Sequence, residues 1–440
     1  MEEETDRKEE TVKMREITRS YAQRIRSKLL SAPVAPGMYS HLINGGTGKV
    51  LDILEEQYLS KDLAEGISCF KYLEGDYGMG KSQFIHCLAE RARRHDIVTA
   101  VVTIGQECPF NSPLSIYKSI MSSFLSPNAE EEEKGIETLL RGWIVEKLKE
   151  GGVSNGQEVP ETIRSQIDRC LRMPWVGAPD TQTAIALTAA GLRLLALECG
   201  ADLSATDQEL FSWLRGDQVR SKALKDRGLH EPARDETAFR RLKTVVSFLR
   251  NRLGYRGFFI AFDEGTRTAS FRRGSVKQKQ AVENMLSMIN DNAEGQFGGV
   301  MFLYAATPDF RSEEISKYRA LNDRIGTVAF LPGRPMTPLI VLDDLLGEEA
   351  LFEIGENLVE VFAKADGFEY RRELQRANME ALIRAQKERE FFDKVPPRYF
   401  VYHFCALLED QAQAHKERVL SDEEARVFVQ SHELPAEESR

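Results

Sequence analysis

One stretch of the chain reads Gly75-Asp76-Tyr77-Gly78-Met79-Gly80-Lys81-Ser82: a glycine, four residues, then Gly-Lys-Ser. That is the spacing of a phosphate-binding loop. Its glycines permit backbone angles closed to other residues and let amide N–H groups approach an anion closely. Lys81 brings a mobile charge to the β- and γ-phosphates of a nucleotide, and the Ser82 hydroxyl can join the shell of Mg²⁺. Farther along, the apolar run Phe258-Phe259-Ile260-Ala261-Phe262 ends in Asp263-Glu264. An acid pair at the end of such a strand supplies a metal ligand, Asp263, and a group that polarises an attacking water, Glu264. Thr307 closes a third apolar run, where a polar side chain can bond the γ-phosphate or that water. Arg324, or Arg319 nearby, and Arg398 are the candidates for stabilising transition-state charge. The expected cofactors are ATP and Mg²⁺.

These residues need elements to hold them. Ser68–Leu73 reads as a strand entering the loop, and Phe84, Ile85, Leu88 and Ala89 carry helical spacing beyond it. Strand, loop, helix is the order that aims a helix N-terminus at phosphate. The runs 97–104, 258–262, 300–306 and 328–331 read as further strands. Alternation with helices predicts an α/β fold, a five-stranded parallel sheet in which an extra strand separates the two nucleotide motifs. Between the second and third strands lies a long, mostly helical excursion, and helical sequence follows the sheet. A helical lid placed after such a sheet is the arrangement of AAA+ ATPases. The expected partition is 1–49 (N-terminal helix with Ile17, Tyr21, Ile25 and Leu29, then a Pro/Gly connection), 50–125 and 236–335 (ATPase domain), 126–235 (insertion), 336–411 (lid) and 412–440 (charged tail). A second glycine-lysine stretch, Gly45-Gly46-Thr47-Gly48-Lys49, has no strand before it and no hydroxyl after its lysine, so it reads as a loop that can lie near a nucleotide base.

Composition sets outer limits. The 440 residues carry a net charge of −10 and are 42% hydrophobic, with six scattered cysteines and seven histidines in no ligand pattern. These features point to an ordinary globular protein with reduced thiols, expected in the cytoplasm, without a membrane span and without a coat of nucleic-acid-binding charge. A local basic patch is compatible with that balance.

The chain resembles the P-loop ATPases of bacterial phage-defence loci, in particular the BrxD-type ATP-binding protein of BREX systems. The resemblance rests on Gly75-Asp76-Tyr77-Gly78-x-Gly80-Lys81-Ser82, on Leu210-Phe211-Ser212-Trp213-Leu214-Arg215-Gly216 in the insertion, on Leu253-Gly254-Tyr255-Arg256-Gly257 running into Asp263-Glu264, on Thr307-Pro308-Asp309-Phe310 and on Pro397-Arg398. It covers residues from about 15 to about 410. Met79 stands where a small residue is expected, and Gly265-Thr266-Arg267 replaces an expected acid. The resemblance implies an AAA+-like ATPase acting with other proteins of a defence locus, on DNA; a homo-oligomer is expected. Two other functions fit the same residues: a nucleotide switch that does not hydrolyse, and a DNA-binding adaptor using Arg193, Arg215, Arg220, Lys222, Lys225 and Arg227 or the Arg267-Arg272-Arg273 loop.

Overall fold

The computed structural model describes residues 17–31, 33–154, 157–175, 177–263, 275–390 and 393–432. Glu264 and the loop with Arg267, Arg272 and Arg273 lie outside the described residues, as do the first residues and the end of the charged tail.

At the centre are β1 (Cys69–Glu74), β2 (Ile97–Thr103), β3 (Phe124–Leu125), β4 (Gly257–Asp263), β5 (Val300–Ala306) and β6 (Leu339–Val341). They form one sheet in the order β3-β2-β4-β5-β1-β6. All neighbours pair in parallel except β3, a two-residue antiparallel addition on β2. Strand β5 therefore lies between β1, which leads into the phosphate loop, and β4, which ends at Asp263. Alternate residues go to opposite faces, as a pleat requires: Phe258, Ile260 and Phe262 join one core, Phe259 and Ala261 the other. Burial on both faces is what makes these strands read as continuous apolar runs.

The last parallel strand is not where the sequence placed it. Residues 328–331 form no strand beyond an isolated bridge between Leu331 and Arg334, and Val328 and Leu331 are exposed. Pro332, Gly333 and Pro335 interrupt that stretch. Leu339 and Ile340, inside the stretch expected to be the helical lid, are instead buried and pair with β1. Buried Lys71 fastens the lead-in, its Nζ donating to the carbonyls of Pro335 (3.1 Å) and Thr337 (3.0 Å) and to Tyr58 Oη (2.8 Å).

Helices cover the sheet. In chain order they begin with α1 (Arg19–Ser31), α2 (Gly48–Leu54), continued as a π-helical stretch Glu55–Asp62, α3 (Lys81–Arg94) after the phosphate loop, and α4 (Pro113–Ser123). The insertion contributes α5 (Ile136–Glu150), α6 (Glu161–Arg172), α7 (Thr181–Glu198), α8 (Ala205–Arg215) and α9 (Lys222–Asp226), and α10 (Asp235–Asn251) returns the chain to β4. α11 (Val276–Ala293) precedes β5; α12 (Pro308–Glu313) and α13 (Arg319–Ile325) follow it. After β6 come α14 (Leu342–Leu345), α15 (Glu348–Asp366), α16 (Arg372–Glu390), α17 (Pro397–Gln413) and α18 (Asp422–Ser431).

One core joins a sheet face to the insertion and a second joins the other face to α2 and α3. The third joins α15 to α17 with α1 and α18. The N-terminal helix thus buries Ala22, Ile25 and Leu29 against the C-terminal helices. α18 belongs there too, with Phe428 and Val429 buried and a Ser421/Glu424 capping box at its start. At the far end of α3, Arg91 pairs with Asp52 (2.6 Å) and Glu55 (2.7 Å), fixing that helix to the α2 layer. Among the described residues no helix is long and apolar enough to cross a membrane.

Candidate nucleotide site

The phosphate loop leaves β1 at Glu74 and enters α3 at Lys81. Gly78 (φ +82°) and Gly80 (φ +88°) occupy the left-handed region that L side chains rarely adopt. Gly75 serves differently: a Cβ there would meet Leu342 Cβ at 3.2 Å, so its lack of a side chain permits close packing against the start of α14. The unexpected Met79 is accommodated because its side chain is buried in the core beneath the loop. Lys81 Nζ donates to the carbonyls of Gly75 (2.8 Å) and Asp76 (3.0 Å), bending back over the loop.

Sheet register brings the other groups in. Glu74 is opposite Ala306, and the Gly75 amide donates to the Ala306 carbonyl at 3.2 Å, so Thr307 emerges beside the first glycine. Thr103 is opposite Asp263, which is buried at the end of β4. The residues nominated from sequence thus gather at the carboxyl ends of the strands, where parallel sheets bind ligands.

From above, α17 closes over the loop. The Arg398 amide donates to the Gly78 carbonyl at 3.1 Å, its guanidinium lies 4.9 Å from the Tyr77 ring centroid, and Nη1 bonds the Tyr77 hydroxyl. A cavity of about 530 Å³ is lined by Tyr77 to Phe84 together with Asp263, Thr307 and Arg398. Its remaining wall is largely apolar, from Leu29, Val34, Ile43, Leu346, Ile354 and Val401. Asn44 and Thr47 add polar groups, their side chains joined by a 2.8 Å hydrogen bond.

Of the residues nominated from sequence, Tyr77 to Ser82, Asp263, Thr307 and Arg398 share this cavity, while Gly75 and Asp76 form its loop just before it. Arg324 and Arg319 do not line it; both are exposed on α13. That helix is nevertheless connected to the site. Buried Glu74 accepts from Arg311 Nη1 (3.2 Å), and Arg311 Nη2 donates to the carbonyl of Gly326 directly after α13 (2.9 Å).

The glycine stretch at 45–49 also has a job. A Cβ on Gly45 would lie 2.6 Å from the Ala350 carbonyl, so the loop packs backbone to backbone against α15. The Gly46 amide donates to Glu353 at 2.7 Å.

Two residues of the site escaped the sequence reading. Asp343, just after β6, accepts from the Asp76 amide at 3.1 Å and so holds the outside of the phosphate loop. Burial raises its pKa above the usual carboxylate range. His86, one turn into α3 from Ser82, lines the cavity, and burial lowers its imidazole pKa against the pull of Asp263 and Glu131. Neither belongs to a motif. Asp343 could be found only by first placing β6 correctly, and His86 only by helical spacing from Ser82.

A family profile described as BREX system ATP-binding protein BrxC/D matches residues 23–423. Among solved structures, that of the Aeropyrum pernix ORC2 protein in ADPNP–ADP complexes is similar, with a TM-score of 0.42 and 12% identity over 88% of this chain and 68% of that chain. Among curated proteins there is no match.

Proposed function

The chain belongs to the family of BREX system ATP-binding proteins BrxC/D, and from that premise we propose that it hydrolyses ATP to power or switch a phage-defence assembly that acts on DNA. The observation that carries this reading is the single cavity shared by Lys81, Ser82, Asp263, Thr307 and Arg398. In it the loop amides and Lys81 take the β- and γ-phosphates, and the apolar wall between α1, α15 and α17 takes the base. Thr307, which lines the cavity, would hold the γ-phosphate or the attacking water, and Arg398 would reach the phosphates from the lid. Glu264, which directly follows Asp263 in sequence, is the proposed base that orients that water.

Among the described residues no group of three or more His, Cys, Asp or Glu forms a metal site. The donor set fits a magnesium ion shared with the substrate: the Ser82 hydroxyl and the Asp263 carboxylate would hold it, and the nucleotide would supply oxygens. When bound, that ion would neutralise charge on the transferring phosphoryl group. Residues 50–125 and 236–335 then constitute the ATPase domain, which also takes β6 from the stretch expected to be lid; 126–235 is its insertion, and the helices after β6 to 411, joined by α18, are its lid, as parts of a homo-oligomer working with other proteins of the locus.

The test is ATP turnover by the purified full chain with Mg²⁺, in the presence and absence of duplex DNA and partner proteins. Activity lost in Lys81→Ala and Asp263→Asn is the expected result. No turnover under any of these conditions would sink hydrolysis. A non-hydrolysing switch is the second reading, favoured by the direct contacts of Arg398 with Tyr77 and Gly78, through which loop contents can set lid position. It requires that Glu264→Gln support defence in cells while Lys81→Ala does not.

A further inference from the structure

The insertion carries six cations that sequence alone nominates together for contact with a polyanion, and the structure divides them. Arg193 is bidentate on buried Asp207, with both bonds at 2.7 Å. Arg215 is held by Glu137. Both are committed to the fold. Arg220, Lys222 and Lys225 are exposed and Arg227 is half-buried. Among the described residues none of these four has an ion-pair partner, whereas nearby Lys118 takes Asp217 at 2.8 Å. The lid surface shows the contrast: Arg371, Arg372 and Arg384 each sit against a carboxylate. In a molecule with net charge −10 this short segment is therefore locally cationic, with Asp226 the only acid inside it. Such local charge attracts anions over a Debye length.

The segment has a definite place. α4 starts at the carboxyl end of β2, where Ser112 Oγ (2.9 Å) and the Leu114 amide (2.8 Å) donate to Asp235 at the start of α10. α10 then runs to the amino end of β4. The chain feeding α10 lies accordingly at the carboxyl end of the sheet, the side on which the phosphate loop opens. Among the described residues, the one aromatic among the exposed large hydrophobic side chains is Tyr77, in the nucleotide site. Stacking of single-stranded bases needs aromatic platforms, and membrane binding needs an apolar face. Phosphate contact needs neither.

We propose that Arg220, Lys222, Lys225 and Arg227 form a docking surface for the phosphate backbone of duplex DNA, on the side of the sheet that holds the nucleotide site. The surface rests on the reading above for its DNA partner, but its chemistry requires no ATP turnover. The test uses the full chain and a labelled mixed-sequence duplex of about 30 base pairs, without nucleotide, read by anisotropy. Each phosphate contact contributes about −0.9 to the slope of log K on log salt, so four give a slope of about −3.6 and roughly a hundredfold loss from about 50 to 200 mM salt. The quadruple variant Arg220→Gln, Lys222→Gln, Lys225→Gln, Arg227→Gln should lose both affinity and slope, while Lys222→Gln alone should lower the slope by about 1. Its melting temperature and its binding of a fluorescent ATP analogue should match wild type, because these side chains are not in the core or the cavity. Absence of duplex binding at low salt, wild-type binding by the quadruple variant, or displacement of duplex by polyglutamate at equal charge would each overturn the proposal, the last in favour of an acidic protein partner. Failure of ATP hydrolysis would leave these binding curves unchanged, so the two readings fail separately.

Discussion

The smallest features of the site carry the sharpest expectations. Lys81 Nζ rests on the carbonyls of Gly75 and Asp76 at the start of its loop, and charge-assisted bonds of the kind it offers phosphate contribute about 1.5–3 kcal/mol each. Lys81→Ala should weaken ATP binding about 10- to 100-fold in a titration with a fluorescent analogue. Asp343 offers a subtler test, because it touches only the outside of the loop through the Asp76 amide. Asp343→Ala should cost about fivefold in ATP affinity, and Asp343→Asn, which keeps an acceptor oxygen, should recover most of it. Equal loss in both variants would show that charge, rather than loop positioning, matters there. Lys71 makes a prediction about pH. Burial pushes its ammonium down from 10.5 to about 8. Between about pH 8 and 10.5 the unfolded chain therefore binds the extra proton, and the Lys71 contribution to stability rises with pH. Measured against Lys71→Met, so that the raised groups Tyr58 and Cys69 nearby largely cancel, wild type should gain about 1 kcal/mol from about pH 7.5 to 9 in denaturant titrations. A flat difference would mean that the three oxygens around Nζ keep it charged throughout. None of this is visible in sequence, where Lys71 is one charged residue in a strand and Asp343 one of two adjacent acids.

Elements explain why some of the fold was legible and some was not. β2, β4 and β5 are buried on both faces, so each writes a continuous apolar run, and the ordered series of strand, loop and helix around Lys81 is fixed by the chemistry of phosphate. β6 has three residues, and Val328-Ala329-Phe330-Leu331 imitates it in composition. Only pairing with β1 separates the two. The loop at Gly45-Gly46 was legible as a loop, while its role came from the close approach to α15. That approach is testable. A Cβ at Gly45 would meet backbone atoms of Ala350 and Ile354 at 2.6 and 2.9 Å, and backbone cannot swing aside as a side chain can. Gly45→Ala should therefore push α15 away, lowering the melting temperature by several degrees and weakening ATP binding through the displaced apolar wall. The same substitution at Gly48, where a Cβ would meet nothing within 4 Å, should do neither. Matching behaviour of the two variants would remove the lid contact from the account of nucleotide binding.

For the whole molecule, the decisive fact is where Arg324 lies. Sequence could name it as a charge-stabilising residue but not say on which active site it acts. The structure puts it on exposed α13, outside the cavity of its own chain. If it stabilises the transition state, it does so in the cavity of a neighbouring copy. The Glu74–Arg311–Gly326 connection would then couple that helix to the strand that carries the phosphate loop. Three measurements follow from an arginine supplied in trans. Specific ATPase activity should rise with protein concentration. Arg324→Ala should bind ATP within about twofold of wild type yet turn over at least tenfold more slowly, as removal of such a finger lowers the rate and not ground-state binding. Finally, Lys81→Ala and Arg324→Ala, each impaired alone, should regain activity when mixed, because one offers an intact arginine to the intact loop of the other. Turnover independent of concentration, with no recovery on mixing, would assign the role to Arg398 in cis. It would also leave the exposure of α13 to be explained by a different partner.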